Sequence, residues 1–374
     1  MKAIAVTPGS TTVRLVDRPE PEVSAPDGVK LKVLRVGICG TDREEASGGR
    51  ALPPDGQQDL VIGHEMLGQV VATGTAVTRV KPGDFAVFTV RRGCASCLPC
   101  LMNRPDMCST GNCRERGIWG LDGFQAEFAA DKEQYAVRVP PELEAVGVLA
   151  EPLSVAEKAI DEAVRIQAAR LPDAGATPDW LHDRRCLVAG LGPIGLLAAM
   201  ALRLRGARVF GLDIVDETSP RPQWLAAIGG TYVDGRRVTP DKMEDAIGPV
   251  DVIVESTGVP ALEFNLIDAL GRNGVYVLTG IPGGSRPVDV PGAELIRRLV
   301  LENQALVGSV NAARDHYQMA VDDLGCAMMR WGGLAGRLIT HRHAFTDFAA
   351  AFAAHPPDEI KSVIEWGAPS GGSR

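Results

Sequence analysis

At 374 residues the chain is too long for one ordinary hydrophobic core and suits two domains. Hydrophobic residues at 45% and charged residues at 23% exclude wholesale disorder, while a net charge of −8 and only 5% aromatics oppose binding to nucleic acid or anionic lipid. The first residues, MKAIAVTPGS, hold no apolar run of signal-peptide length. The longest apolar stretch, residues 187–202, is too short for a membrane span and has Gly-Pro at its centre, so a cytoplasmic protein is expected.

The first 150 residues read as short strands between turn residues: KAIAVTP, GVKLKVLRVGIC, GQVVATG and DFAVFTV. Residues 154–167 (SVAEKAIDEAVRIQ) read as a helix, with Ser154 as cap, Glu157 as its capping-box partner and Val155, Ala159, Ala163 and Ile166 on one face. LPDAGATPDWLHD follows with the composition of a domain connector. From Arg185 strands (RCLVAG, ARVFGLD, DVIVES, GVYVLTG, ALVGSV) alternate with helical stretches, one of them over 194–205. That alternation predicts a parallel sheet covered on both faces. After Asn311 the chain returns to mixed helix and strand.

Three constellations carry chemistry. Gly190-Leu191-Gly192-Pro193-Ile194-Gly195 follows a predicted strand and opens a helix, and Asp213 ends the next strand. This is the pattern that cradles a pyrophosphate at a helix N-terminus and holds the ribose hydroxyls with an acid. Cys94, Cys97, Cys100 and Cys108 offer four thiolates from one loop, the donor set of a closed structural zinc site. An iron–sulfur run fits worse, because the last gap is seven residues and no proline follows. Arg91, Arg92 and Arg104 are near enough in sequence to offset the thiolate charge, and Cys113 reads as a bystander. Cys39, His64, Glu65 and Glu151 are zinc-ligand types spread along the chain, each weak alone and stronger beside a dinucleotide fold.

With these residues in hand, the chain resembles the zinc-dependent medium-chain alcohol dehydrogenases, and among them most closely the glucose 1-dehydrogenases. The motifs are GICGTD at 37–42, GHEMLGQV at 63–70, the four-cysteine lobe, RPDMCSTG at 104–111, ERGI at 115–118, EPLSVAEK at 151–158 and GSVN at 308–311. The resemblance implies an α/β protein: a GroES-like β-rich catalytic domain from 1–153 and 311–374, and a Rossmann dinucleotide-binding domain over 154–310. It implies a catalytic zinc surrounded by Cys39, His64, Glu65 and Glu151, with Thr41 passing a proton outward, and a structural zinc on the cysteine lobe. Thr41, Glu115, Glu151 and Asn311 would contact a sugar. Gly190, Leu191, Gly192, Pro193, Ile194, Gly195, Asp213, Thr257, Leu278, Thr279, Gly280, Ser309, Val310 and Asn311 would contact the cofactor.

The implied reaction is hydride transfer from the anomeric carbon of an aldose, most like D-glucose, to NAD(P), giving the aldonolactone. A zinc-dependent polyol or amino-alcohol dehydrogenase is the alternative. One thiolate and two carboxylates would leave zinc net negative, so only one of Glu65 and Glu151 is expected on the metal at a time. NADP-accepting relatives resemble Gly-Arg-Arg where this chain has Gly211-Leu212-Asp213, so NAD is favoured and NADP is possible. Arg221, in a Pro-bounded loop, is the residue that could swing in to hold a phosphate. The family implies a homodimer or homotetramer.

Overall fold

The computed structural model describes residues 1–175, 177–284, 287–353 and 356–367. It divides into two compact units, Met1–Ser154 with Asn311–Arg374, and Val155–Val310.

The first unit is organised around the eleven-residue strand Gly28–Ile38, whose alternating and then continuous burial matches GVKLKVLRVGI. It lies in a seven-stranded sheet in the order Ala136–Val139, Phe85–Phe88, Glu65–Thr73, Gly28–Ile38, Lys361–Glu365, Ile339–Ala344, and Phe128–Lys132 also pairs with it. Glu65–Thr73 runs antiparallel to it with Gly37 opposite Glu65, and Lys361–Glu365 flanks its other edge with Ser362 opposite Ile38. The end of the chain therefore completes a sheet begun near its start. Val29, Leu31, Val33, Leu34 and Val36 are buried there beside Leu67, Val87, Val363 and Ile364.

The second unit carries six parallel strands in the order Thr231–Asp234, Arg208–Asp213, Arg185–Ala189, Val250–Glu255, Leu270–Leu278, Ala305–Gly308. Numbered along the chain this order is 3-2-1-4-5-6, the doubly wound dinucleotide-binding topology. Leu187, Ala189, Leu212, Val250, Ile253, Leu266 and Tyr276 form part of its core. Strand Thr231–Asp234, too short to carry a pattern of its own, went unread in the sequence.

Two local expectations are corrected. The helix is Ala150–Arg170 and starts four residues before Ser154. Ser154 lies inside it, donating its hydroxyl to the Glu151 carbonyl at 2.6 Å, and Glu157 pairs with Arg205 at 2.6 Å instead of capping. The hydroxyl returns to its own helix, as serine does when no free amide is at hand. The connector-like segment 171–183 lies inside the second unit, while the division between units falls within the helix, after Ser154.

Candidate functional site

Cys39 stands at the N-cap of the short helix Gly40–Ala46, directly after the central strand. Glu65 opens the neighbouring strand Glu65–Thr73, and His64 immediately precedes it. Their ligand atoms all lie within 4.8 Å of one another, and Cys39 Sγ is 3.2 Å from His64 Nε2. A soft thiolate, an imidazole and a carboxylate at this spacing suit zinc, whose sulfur and nitrogen ligands sit roughly 3.5 Å apart around a tetrahedral ion. Burial, and then the Asp42 charge, pushes the Cys39 thiol up; burial would lower the His64 imidazole, but the charges of Cys39 and Asp42 raise it well above its usual range. A bound dication would supply the positive charge that this donor set calls for.

Two residues that the sequence reading passed over hold the set. Asp42 is fully buried; one oxygen accepts the Cys39 amide at 2.8 Å and the other lies 3.7 Å from His64 Nδ1. At that separation no hydrogen bond joins them, so Asp42 acts on the ring through its negative charge. Lys361, 1% exposed, donates to Glu65 Oε1 at 2.5 Å and to the Ile38 carbonyl at 3.0 Å. Gly37 makes room for this pair: a Cβ there would stand 2.0 Å from Glu65 Oε2 and 2.9 Å from Lys361 Cε. Asp42 was visible inside GICGTD as an acid three residues after a candidate ligand; nothing in the sequence signals Lys361.

Glu151 is not in the 4.8 Å grouping. It occupies the first turn of Ala150–Arg170, buried to 8% exposure. Burial pushes its carboxyl up to about 7, opposed by His64 and reinforced by the Glu65 charge. Thr41 is half-buried in the first turn after Cys39. Glu115 pairs with Arg91 across a small sheet at 2.7 Å and accepts Asn311 Nδ2 at 2.6 Å. Arg114 and Arg116 go to Asp55 and Asp131.

The four lobe sulfurs also fall within 4.8 Å of each other, with Cys94–Cys100 at 3.9 Å and Cys97–Cys108 at 4.0 Å. Sulfurs 2.3 Å from a tetrahedral zinc are about 3.8 Å apart, whereas a disulfide needs about 2.05 Å. Hydrogen bonds led by Ser96 bring Cys94 down to about 5, and one from Thr110 brings Cys108 to about 7. Arg91, Arg92 and Arg104 do not serve as dedicated counterions here, since Glu115, Asp131 and Asp106 engage them. Arg104 grips both oxygens of Asp106, while Arg91 and Arg92 each give two N–H groups to one oxygen of Glu115 and of Asp131; a localised carboxylate is a better partner than a diffuse sulfur charge. Cys113 lies outside the grouping.

In the second unit the glycine-rich turn joins strand Arg185–Ala189 to helix Pro193–Leu204, with Gly192 as N-cap. Gly195 packs so closely that a Cβ would meet the Gly190 carbonyl at 1.8 Å. Asp213 ends the adjacent strand; its Oδ2 accepts the Leu191 amide at 2.8 Å and its Oδ1 the Ile214 amide at 2.7 Å. Arg221, expected in a loop, is in the first turn of helix Pro220–Ala227, where Pro220 starts the helix early, and Arg236 is held by Asp234 at 2.7 Å. Thr257, Leu278, Thr279, Gly280, Ser309 and Val310 all lie at the carboxyl ends of strands of this sheet, where open α/β sheets bind ligands. Among the described residues no helix is long and apolar enough to cross a membrane.

Comparison with known proteins agrees with this geometry. Residues 25–141 match the alcohol dehydrogenase GroES-like domain and residues 144–366 the glucose dehydrogenase C-terminus. Glucose 1-dehydrogenase 2 of Vulcanisaeta moutnovskia is 39% identical over 98% of this chain and 99% of its own. Glucose 1-dehydrogenase of Methanocella arvoryzae is 36% identical over 98% of this chain and all of its own. The structure of Haloferax mediterranei glucose dehydrogenase in complex with NADP, Zn and gluconolactone superposes with a TM-score of 0.87 at 34% identity, covering 98% of this chain and 100% of that one. The two-unit GroES-like and Rossmann architecture expected from the sequence is thereby established, and the chain belongs to the glucose dehydrogenase branch of the zinc-dependent alcohol dehydrogenase family.

Proposed function

We propose that this protein oxidises an aldose, D-glucose first among them, at its anomeric carbon to the aldonolactone with hydride transfer to a nicotinamide dinucleotide. The observation that carries the reading is the buried Cys39–His64–Glu65 grouping, supported by relatives that are glucose 1-dehydrogenases along their whole length. When bound, zinc supplies a Lewis acid that lowers a hydroxyl pKa, and the dinucleotide accepts the hydride.

The chain's own residues do the rest. Cys39 and His64 hold the metal together with one carboxylate, and Asp42 fixes the Cys39 backbone and sets a negative charge beside the His64 ring. Lys361 anchors Glu65, which leaves Glu151 free to exchange with it. With its carboxyl raised to about 7, Glu151 accepts or returns a proton near neutral pH. Thr41 passes that proton outward. Glu115 and Asn311, joined at 2.6 Å, offer an acceptor and a donor to sugar hydroxyls. The Gly190–Gly195 turn receives the pyrophosphate at a helix N-terminus, and the cysteine lobe holds a second, structural zinc.

NAD is the favoured cofactor. Asp213 stands where the adenosine ribose binds and would repel a 2′-phosphate, although the Haloferax mediterranei relative is found with NADP. The protein acts in the cytoplasm on a small molecule, without nucleic acid or membrane. A homodimer or homotetramer is supported by the outer edge of Ala305–Gly308, which pairs with no strand among the described residues, and by exposed Ile296, Val300 and Leu301 nearby in sequence. The test is a spectrophotometric panel of aldoses, polyols and threonine with NAD and NADP, beside light scattering for mass. Turnover of polyols or threonine in preference to every aldose would overturn the sugar reading.

A further inference from the structure

Glu255 ends strand Val250–Glu255 with no surface exposed, and the sequence marks it only as the last charged residue of the apolar segment DVIVES. Its carboxylate ties two loops together. Oε1 accepts the Thr257 amide, the Thr257 hydroxyl at 2.5 Å and the Gly258 amide at 3.0 Å; Oε2 accepts the Gly280 amide at 3.2 Å. The Glu255 carbonyl adds the Thr279 amide at 2.9 Å and its hydroxyl at 2.6 Å. A buried carboxylate is costly unless hydrogen-bonded, and four donors cover this one.

The sheet order says what those loops face. Strand Arg185–Ala189, which leads into the glycine-rich turn, has Arg208–Asp213 on one side and Val250–Glu255, then Leu270–Leu278, on the other. A dinucleotide lies across such a switch point, one mononucleotide on each side. Asp213 marks the adenosine side, so the nicotinamide half falls over 256–258 and 279–280. Burial and the Glu255 charge also push the nearby Glu263 carboxyl above its usual range, consistent with a concentrated negative charge at this strand end.

We propose that Glu255 is a positioning residue for the nicotinamide half of the cofactor: it clamps the Thr257–Gly258 and Thr279–Gly280 loops into one geometry before the cofactor arrives, so that binding does not have to order them. The inference rests on the dinucleotide-binding reading above and assigns a role to a side chain that need not touch the cofactor.

The test is Glu255→Gln in the full-length, zinc-loaded protein. Glutamine keeps the shape but turns an NH₂ toward amides that donate, so one loop loses its tie. The dissociation constants of NADH and NADPH, from their fluorescence, should rise about tenfold. ADP-ribose, which lacks the nicotinamide, should change less than about twofold by calorimetry, because its contacts lie on the Asp213 side. Glu255→Asp keeps the charge but shortens its reach, and should move the dinucleotides about threefold in the same direction while sparing ADP-ribose; it carries the decision if Glu255→Gln does not fold. Parallel weakening of ADP-ribose and dinucleotides would make Glu255 merely structural, and unchanged dinucleotide binding would remove its role; either result overturns the proposal. A wild type that binds neither dinucleotide would overturn the dehydrogenase reading, and this inference with it.

Discussion

Replacing Lys361 by methionine isolates the electrostatics of the proposed metal-binding grouping. The side chains of Lys361 and Glu65 are 1% and 2% exposed, so solvent cannot take over when the ammonium is lost. Methionine fills most of the lysine stem and leaves no large cavity, so the cost is electrostatic. Removing one partner of a buried pair costs about 3–5 kcal/mol. Coulomb's law at an effective dielectric of about 20 gives roughly 5 kcal/mol for unit charges about 3 Å apart, the same range. In urea denaturation of metal-stripped protein, Lys361→Met should lose stability of that order, and the double variant with Glu65→Gln should recover most of it, since no uncompensated carboxylate remains. Zinc-saturated protein should lose less, because the freed Glu65 finds the metal. A single variant within about 1 kcal/mol of wild type, or a double variant no more stable than the single, would refute the reasoning.

Cys97→Ser should lose one zinc per subunit and much thermal stability while dinucleotide affinity stays close to wild type; full metal content with unchanged melting would contradict a structural lobe. Asp213→Ala should shift the ratio of kcat/KM for NADP over NAD upward by about tenfold, because even a third of a ~4 kcal/mol repulsion is worth that much; an unchanged ratio would free Asp213 of that role. Burial, and then the Asp42 charge, pushes Glu45 from 4.5 up to about 9. Between those values the folded state keeps a proton that the unfolded state has released, so this group's contribution to stability falls as pH rises across the window. Glu45→Gln should therefore gain more in melting temperature over wild type at pH 9 than at pH 5, and an equal gain at both would contradict a protonated Glu45.

What the sequence determined by itself lies in contiguous runs. The glycine turn of 190–195, the strand–helix alternation after Arg185 and the four cysteines of 94–108 are legible because their geometry is local: turn, helix and ligand loop are made by neighbours in the chain. Cys39, His64 and Glu65 were legible as residue types, but their meeting depends on two adjacent strands in register. Tertiary structure alone decided the rest. Lys361 reaches Glu65 across 296 positions because the last strand closes the first sheet, and Asn311 reaches Glu115 across 196. Ser154 looked like a cap because local sequence offers serine a free amide at any helix start; the packed helix begins earlier and puts Glu151 in its first turn. Glu255 shows the same limit, since a glutamate ending an apolar strand reads as its solvent-facing edge until two loops fold over it. Pairing of buried charges is set by which strands meet, and that information is spread over the whole chain.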